Sequence, residues 1–196
     1  MPGSRDEPGK GIEMRVTILN GDPEAGGEFD RFVGSVAGSL QTDGHSVVNI
    51  PIRDLGLKSC SGCFGCWVRT PGECVQGEAP ATICRAVIDS DLVILASPLV
   101  MGFTSALLKT AADHLIGLLH PYFVIEGGEM HHRARYARYP ALGLLLGREE
   151  DTDDEDLAIT EALWSRMARN MKSDLVFTAV ADRPAEEVAD GFAAAA

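Results

Sequence analysis

The chain has far fewer basic side chains than acidic ones. Among 196 residues, 17 lysines and arginines stand against 29 aspartates and glutamates, a formal net charge of −12. Such a charge repels phosphate backbones and anionic membrane surfaces, so we expect neither nucleic acid nor a membrane as a partner. Long apolar runs are also absent, and residues 1–13 hold no apolar stretch that could be a signal-peptide core, which favours a cytoplasmic protein.

Two functional motifs are missing as well. No G-x-G-x-x-G fingerprint occurs, which argues against a separate nicotinamide-binding domain. No His/Asp pair stands out, so we nominate no catalytic side chain. The length suits one domain, which we place at residues 14–182, after a disordered extension at residues 1–13 and before a frayed tail at residues 183–196.

What the chain does have is a series of short apolar segments. They predict strands at residues 15–20, 45–51, 91–97, 141–146 and 174–180. Apolar residues at helical spacing lie between them, so the pattern predicts an α/β fold. We expect a flavodoxin-like three-layer sandwich, in which helices cover both faces of a five-stranded parallel sheet of order 2-1-3-4-5. Ligands of such sheets bind beyond the carboxyl ends of the strands.

The loop after the first predicted strand begins with Asn20, Gly21 and Asp22. Backbone amides and a helix N-terminus could hold a phosphate there. However, the loop lacks the hydroxyl and basic side chains that usually complete a phosphate site. The acidic side chains in and beside it, which would repel a dianion, are Asp22, Glu24, Glu28 and Asp30. A cofactor role and an ordinary turn with helix-capping acids both stay open.

A second candidate segment follows the third predicted strand. It runs Ser97, Pro98, Leu99, Val100, Met101 and Gly102. A turn of this kind could present backbone N–H groups to a planar ring, or it could merely end a strand and cap the next helix. Its position at the carboxyl edge of the predicted sheet favours the ligand role.

Four cysteines lie close together in the loop after the second predicted strand: Cys60, Cys63, Cys66 and Cys74. Their spacing favours a 4Fe–4S cluster. The alternatives are a zinc site, a Cys63/Cys66 redox disulfide, and plain thiols that pack a loop. The fifth cysteine, Cys84, is predicted to be a core thiol on a helix.

Two strongly polar segments complete the candidates. His131 and His132 stand in a basic and aromatic connection, which we interpret as a subunit contact or a lid rather than a metal site. Residues 149–156 are almost wholly acidic and lack the glycine rhythm of a calcium-binding loop, so we expect the start of a helix.

Together these motifs resemble the NADPH-dependent FMN reductase superfamily, and within it the iron–sulfur flavoproteins. The resemblance covers about residues 14–182. It implies a flavodoxin-like fold, a homodimer or homotetramer, and FMN at the strand ends. The residues it places at FMN are Asn20, Gly21 and Asp22 by the phosphate, residues 97–102 along the ring and Gly147 at its far edge, with Cys60, Cys63, Cys66 and Cys74 at the cluster.

This sequence departs from the family pattern in the phosphate loop. Residues 22–24 and 27–28 replace the usual Ser-Pro-Arg and Asn-Thr, and Val100 stands where many relatives have tyrosine. The leading hypothesis is an FMN-dependent oxidoreductase, in which NAD(P)H or a ferredoxin-type donor reduces the flavin and an unidentified acceptor takes the electrons. The alternative is a non-catalytic, flavin-free protein whose cysteine loop binds a metal or a protein partner.

Overall fold

A parallel sheet organises the chain. The computed structural model describes residues 13–196. The strands are β1 (Arg15–Asn20), β2 (Ser46–Pro51), β3 (Leu92–Val100), β4 (Phe103–Thr104), β5 (Leu119–Glu126), β6 (Glu129–Ala134), β7 (Ala141–Gly147) and β8 (Leu175–Val180). The helices are α1 (Glu28–Thr42), α2 (Gly65–Val68), α3 (Glu78–Ile88), α4 (Ala106–His114), α5 (Asp154–Asn170) and α6 (Ala185–Ala195), with short 3₁₀ turns at Ile52–Leu55 and Leu115–Leu118.

The five long strands of the main sheet run parallel in the order β2-β1-β3-β7-β8. This confirms the predicted flavodoxin-like order, since β7 and β8 are the predicted fourth and fifth strands. The central strand β3 is apolar from Leu92 to Ala96 and almost fully buried, because helices cover it on both sides.

Two apolar layers flank the sheet. On one face, Val33 and Leu40 of α1 pack with Phe192 of α6. On the other face, Ile83 of α3, Leu108 of α4 and Trp164 of α5 belong to a second buried cluster. The β1–β3–β7 centre is therefore held rigidly from both sides, and its carboxyl edge is a fixed platform for the loops that follow.

The predicted frayed tail was wrong. Residues 185–195 form α6, and Val188, Ala189 and Phe192 are buried against the sheet. Gly143 of β7 makes room for this contact, because a Cβ atom there would lie 2.4 Å from the Phe192 ring. Apart from Glu13, the predicted N-terminal extension lies outside the described residues.

Residues 119–134 form a two-stranded antiparallel hairpin, β5–β6, rather than an irregular connection. Gly127 and Gly128 make its turn with φ of 59° and 82°. His131 is buried, and its ring nitrogens lie 3.1 Å from Asn170 Oδ1 and 3.2 Å from Glu129 Oε2. The acidic run was predicted correctly as a helix start: Asp153 caps α5 and forms a capping box with Asp156.

Candidate functional site

Three segments that are far apart in sequence meet at the carboxyl edge of the sheet. The Gly21 N–H donates to the Ala96 carbonyl over 2.8 Å, which joins the end of β1 to β3. Pro98 of β3 lies opposite Gly147, the last residue of β7. The predicted ligand-binding segments therefore share one edge, at the place where the strand order changes direction.

Buried hydroxyl groups fix this junction. Ser105 Oγ donates to the Gly21 carbonyl over 2.6 Å and accepts the Leu108 N–H as the N-cap of α4. The Ser105 N–H in turn donates to Ser97 Oγ over 2.8 Å. Ser97 is wholly buried, so its side chain positions the edge and does not face a ligand.

The bend at this edge comes later than the sequence predicts. Ser97 and Pro98 remain in β3, which continues to Val100 and pairs with the short strand β4. The chain turns at Met101 and Gly102, whose φ angles are 54° and 76°. Met101 is a non-glycine residue in the left-handed region, which makes this turn unusual.

The side chains at this turn are apolar and open to solvent. Val100 is 43% exposed, Met101 86% and Phe103 58%, whereas Leu99 is fully buried. The Met101 N–H donates to Glu149 Oε2 over 3.2 Å, an exposed contact with the acidic segment. This turn is an apolar shelf, a term we use for residues 100–103, and its shape and polarity suit one face of a flat ring.

Two glycines at this edge lie in tightly packed surroundings. A Cβ atom on Gly21 would lie 2.8 Å from Leu108 Cβ, and one on Gly147 would lie 2.6 Å from Cδ2 of Phe29. Both distances are shorter than real Cβ contacts allow, so the backbone packs closely here. This close packing is compatible with the predicted ligand-binding role of Gly21 and Gly147 and also with a purely structural role.

The β1–α1 loop is built differently, because its own side chains satisfy several of its backbone donors. Asn20 Oδ1 accepts the Asp22 N–H over 3.0 Å, and Asp22 Oδ1 accepts the Glu24 N–H over 2.9 Å. Both side chains are buried, at 0% and 4% exposure. These are Asx turns of the kind that aspartate and asparagine form in tight loops.

Asp30 closes this loop from the first turn of α1. Its carboxylate accepts from the Gly26 N–H over 2.8 Å and from the Asn20 amide over 2.7 Å. Arg53 donates to both carboxylate oxygens, from Nη1 over 3.1 Å and from Nη2 over 3.0 Å. Burial alone would raise the pKa of Asp30, but the Gly26 N–H, the arginine and the amide outweigh it and lower that pKa.

The sequence missed Arg53 as a member of this site. It lies in the 3₁₀ turn after β2, its side chain is 14% exposed, and Nη1 also donates to the Asp22 carbonyl over 3.0 Å. Its Nε is buried without a hydrogen-bond partner and lies 3.9 Å from Asp54 Oδ1. The loop does contain a basic group, but Asp30 already pairs with it.

The four loop cysteines line a second region, a pocket of about 620 Å³. Its other walls include Phe64, His132, Met167 and Met171. It lies at the far end of α4 from the apolar shelf, since Ser105 starts this helix and His114, which also lines the pocket, ends it. The sequence correctly placed the cysteines together, and it did not foresee the methionine and aromatic walls.

The pocket thiols differ in their surroundings. Cys63 is exposed, and hydrogen bonds from the Gly65 N–H and the Ser61 hydroxyl lower the pKa of its thiol. Burial, and then the charges of neighbouring thiolates, raise the pKa of Cys66. Cys84 is a buried core thiol, as predicted, and burial raises its pKa to about 12.

A buried histidine adjoins one of these cysteines. His114 Nε2 lies 2.7 Å from the Lys58 carbonyl, so Nε2 carries the proton that this carbonyl accepts. Its Nδ1 is therefore the acceptor nitrogen and lies 3.7 Å from Cys74 Sγ, where it can accept from the thiol, while that sulfur accepts the Gln76 N–H over 3.5 Å. The Gln76 N–H is the neighbour that could stabilise a Cys74 thiolate.

The pocket supplies suitable donor atoms for a metal or cluster but does not gather them. Within residues 13–196, no group of three or more His, Cys, Asp or Glu side chains is placed to hold a metal ion. His132 does not join the cysteines as a ligand: its Nδ1 contacts the His120 carbonyl at 2.9 Å, and its ring packs against Trp67. The predicted cluster is therefore not confirmed, and we derive no step through it.

No helix within the described part of the chain combines the length and the hydrophobicity needed to cross a bilayer.

Comparisons with known proteins identify relatives of this chain. A family model described as NADPH-dependent FMN reductase matches residues 14–137. An iron–sulfur flavoprotein of Archaeoglobus fulgidus is 30% identical over 107 residues, which are 55% of this chain and 48% of the relative. The chain spans about half the length of the curated relatives it matches.

Solved structures share the fold at low sequence identity. An NAD(P)H:quinone oxidoreductase from Methanothermobacter marburgensis has a TM-score of 0.64 at 16% identity, over 91% of this chain and 94% of the other. An FMN-dependent NADH-azoreductase from Bacillus anthracis, in complex with FMN, has a TM-score of 0.60 at 12% identity, over 92% and 94%. With the family match over most of the sheet, the chain belongs to the NADPH-dependent FMN reductase family.

Proposed function

We propose that this protein is a flavin-dependent oxidoreductase that takes electrons from NAD(P)H at the carboxyl edge of its sheet. The observation that carries the proposal is the exposed apolar shelf of residues 100–103, which follows β3 at the edge that β3 shares with the ends of β1 and β7. Membership of the family supports the same location. A bound flavin would supply the chemistry, since its ring accepts a hydride and passes electrons on.

The residues at this edge have two roles in the proposal. Val100, Met101 and Gly102 would lie along the ring, with Gly147 at its far edge. Residues beneath them keep the shelf in place through the contacts already described, and these are the buried Asn20, Gly21, Ser97 and Leu99 and the half-buried Pro98. No acid–base side chain is needed, because backbone donors near the ring would stabilise its reduced form.

The donor would stack directly over the ring. No separate nicotinamide domain is indicated by the sequence, and the shelf faces solvent, so the ring would have an open side. A nicotinamide nucleotide is the donor that the family favours. The ferredoxin-type donor, the electron acceptor, and a homodimer or homotetramer stay predictions.

Reduction of bound flavin tests this proposal. The purified chain is mixed with flavin without oxygen, separated from excess flavin, and given NADPH or NADH. We expect the yellow flavin absorption to bleach, and we expect Val100→Glu to abolish flavin retention because it places a charge against the ring. Val68→Glu, the same exchange at a residue that is 75% exposed outside this edge, should retain it. A wild-type chain that holds no flavin would favour the flavin-free alternative.

We infer a second role for the cysteine loop as a 4Fe–4S site. Its support is that Cys60, Cys63, Cys66 and Cys74 line one pocket and have the close spacing in sequence that clusters use. The loop would have to draw the sulfurs closer than they lie. A metal-binding or partner-binding loop without a cluster is the alternative.

Iron and acid-labile sulfide assays on protein purified without oxygen distinguish a 4Fe–4S cluster from a loop without a cluster. We expect both elements in the wild-type protein and loss of both in Cys60→Ser and Cys74→Ser. Cys84→Ser is the control, because this thiol is buried in the core away from solvent. Iron without sulfide, or neither element, contradicts the cluster.

A further inference from the structure

The two ends of a flavin mononucleotide meet unlike surroundings at this sheet edge. The ring end would meet the apolar shelf, which is exposed and has no charge of its own. The phosphate end would meet the β1–α1 loop, where a helix N-terminus normally attracts an anion. In this chain an anion is already present in that loop, and it belongs to the protein.

That anion is the Asp30 carboxylate. It accepts the Gly26 N–H, the Asn20 amide and two N–H groups of Arg53, at 2.7–3.1 Å. These are the donors that a phosphate at the start of α1 would need. The side chain is 17% exposed and its arginine partner 14%, so the pair is largely shielded from screening water.

Two further N–H groups of the loop are also occupied, although Gly27 at the start of α1 has no side-chain cap. The N–H groups of Asp22 and Glu24 are taken by Asn20 and Asp22 side chains. No lysine lies in the loop, and Arg31 donates to the Gly26 carbonyl from the outside. A phosphate dianion placed here would face Asp30 and the nearby glutamates, while Arg53 is already paired with Asp30 and Arg31 is exposed to solvent.

We infer that this loop excludes the flavin phosphate, so that the site takes the uncharged flavin, riboflavin, at least as well as FMN. The inference rests on the proposed function, because it concerns the same site. Flavin recognition then depends on the ring and the shelf, and Asp30 is the residue that determines the choice between phosphorylated and unphosphorylated flavin.

Flavin fluorescence quenching measures the preference of the chain for riboflavin or FMN. The flavin-free full chain is titrated with riboflavin and, separately, with FMN at one fixed ionic strength. We expect riboflavin to bind as tightly as FMN or more tightly. FMN binding about tenfold or more tighter than riboflavin would overturn the inference, because it would require the phosphate to add favourable contacts.

Asp30→Asn sharpens the test. It removes the internal anion and leaves Arg53 without its partner, so FMN should bind about tenfold or more tighter than it binds the wild type, with riboflavin within about twofold. Asp43→Asn is the matched control, since it makes the same change of charge at the exposed opposite end of α1 and should alter neither affinity. An equal gain for both flavins in Asp30→Asn would overturn the inference.

A failure of the proposed function gives a different pattern. If the wild-type chain binds neither flavin, the proposed function fails, and Asp30→Asn decides the role of Asp30 alone. FMN capture by that variant would support phosphate exclusion by Asp30, and its absence would overturn it. If Asp30→Asn does not fold, the wild-type comparison of riboflavin with FMN still decides.

Discussion

The two loops at the carboxyl edge of the sheet have the same place in the fold but opposite character. The β1–α1 loop is polar and partly satisfied by its own side chains, with the shielded pair of Asp30 and Arg53 at its centre. The apolar shelf of residues 100–103 presents exposed side chains, and its Met101 N–H contacts the exposed Glu149. Position in the fold predicts where a ligand binds, but the state of the donors predicts which part of the ligand can bind.

We expect the largest effect when the charge partner of Asp30 is removed from the β1–α1 loop. Arg53→Met leaves the Asp30 carboxylate shielded from water without a cation, so we expect unfolding to become easier by about 3 kcal/mol. Urea denaturation measures it. Arg31→Met is the control, because Arg31 is exposed and should cost less than about 0.5 kcal/mol. Equal losses in the two variants would show that the pair does not hold the loop.

A smaller effect is expected where the two loops touch. Gly21→Ala puts a Cβ atom 2.8 Å from Leu108 Cβ and 2.9 Å from Ser105 Oγ. We expect a loss of about 2 kcal/mol in the free energy of unfolding, because the surrounding atoms must shift. Gly34→Ala is exposed within α1 with no atom within 4 Å, and should be neutral or up to about 1 kcal/mol stabilising. Similar results for both variants would contradict the close packing at this junction.

A substitution in the apolar shelf should lower flavin affinity and leave the stability of the protein unchanged. Met101→Ala removes exposed apolar surface from the shelf, so flavin affinity should fall about fivefold, or about 1 kcal/mol, in a fluorescence titration. The melting temperature should stay the same, since Met101 is 86% exposed. Met130→Ala, on the β5–β6 hairpin, should leave the affinity unchanged. An effect of Met130→Ala as large as that of Met101→Ala would place the ring elsewhere.

The smallest expected effect is a pH dependence of the stability that Asp30 contributes through the β1–α1 loop. The pKa of Asp30 is lower in the folded protein than its ordinary value of 3.8, so its stabilising contribution is present above that value and is lost as the pH falls through the folded pKa. The difference in unfolding free energy between wild type and Asp30→Asn should therefore be constant near neutral pH and shrink in acid. A difference that grows in acid would contradict the lowered pKa.

Much of the fold could be predicted from local patterns. The apolar runs at the five main strands are short and regular, and those of the central strands are buried, so their alternation with helices was enough to give the sheet order. The C-terminal helix α6 was missed, although its alanines favour a helix. The spacing of Val188, Ala189 and Phe192 was the available signal, and the cleft that Gly143 leaves for Phe192 is visible only in three dimensions.

The candidate site was predictable in position but not in polarity. The sequence correctly indicated which segments meet at the edge, because parallel strands bring their carboxyl ends together. It could not show that Arg53 reaches the loop, since Arg53 and Asp30 are 23 residues apart and no local pattern links them. It also placed the bend at Ser97, whereas pairing with β4 carries β3 on to Val100.

A crystal structure of the chain soaked with FMN tests the central claim most directly. We predict the flavin ring on the apolar shelf beside Gly147, the phosphate outside the β1–α1 loop, and the Asp30–Arg53 pair intact. A phosphate seated in that loop on the Gly26 N–H, with Asp30 displaced from Arg53, would contradict the account, and so would a flavin ring bound away from residues 100–103.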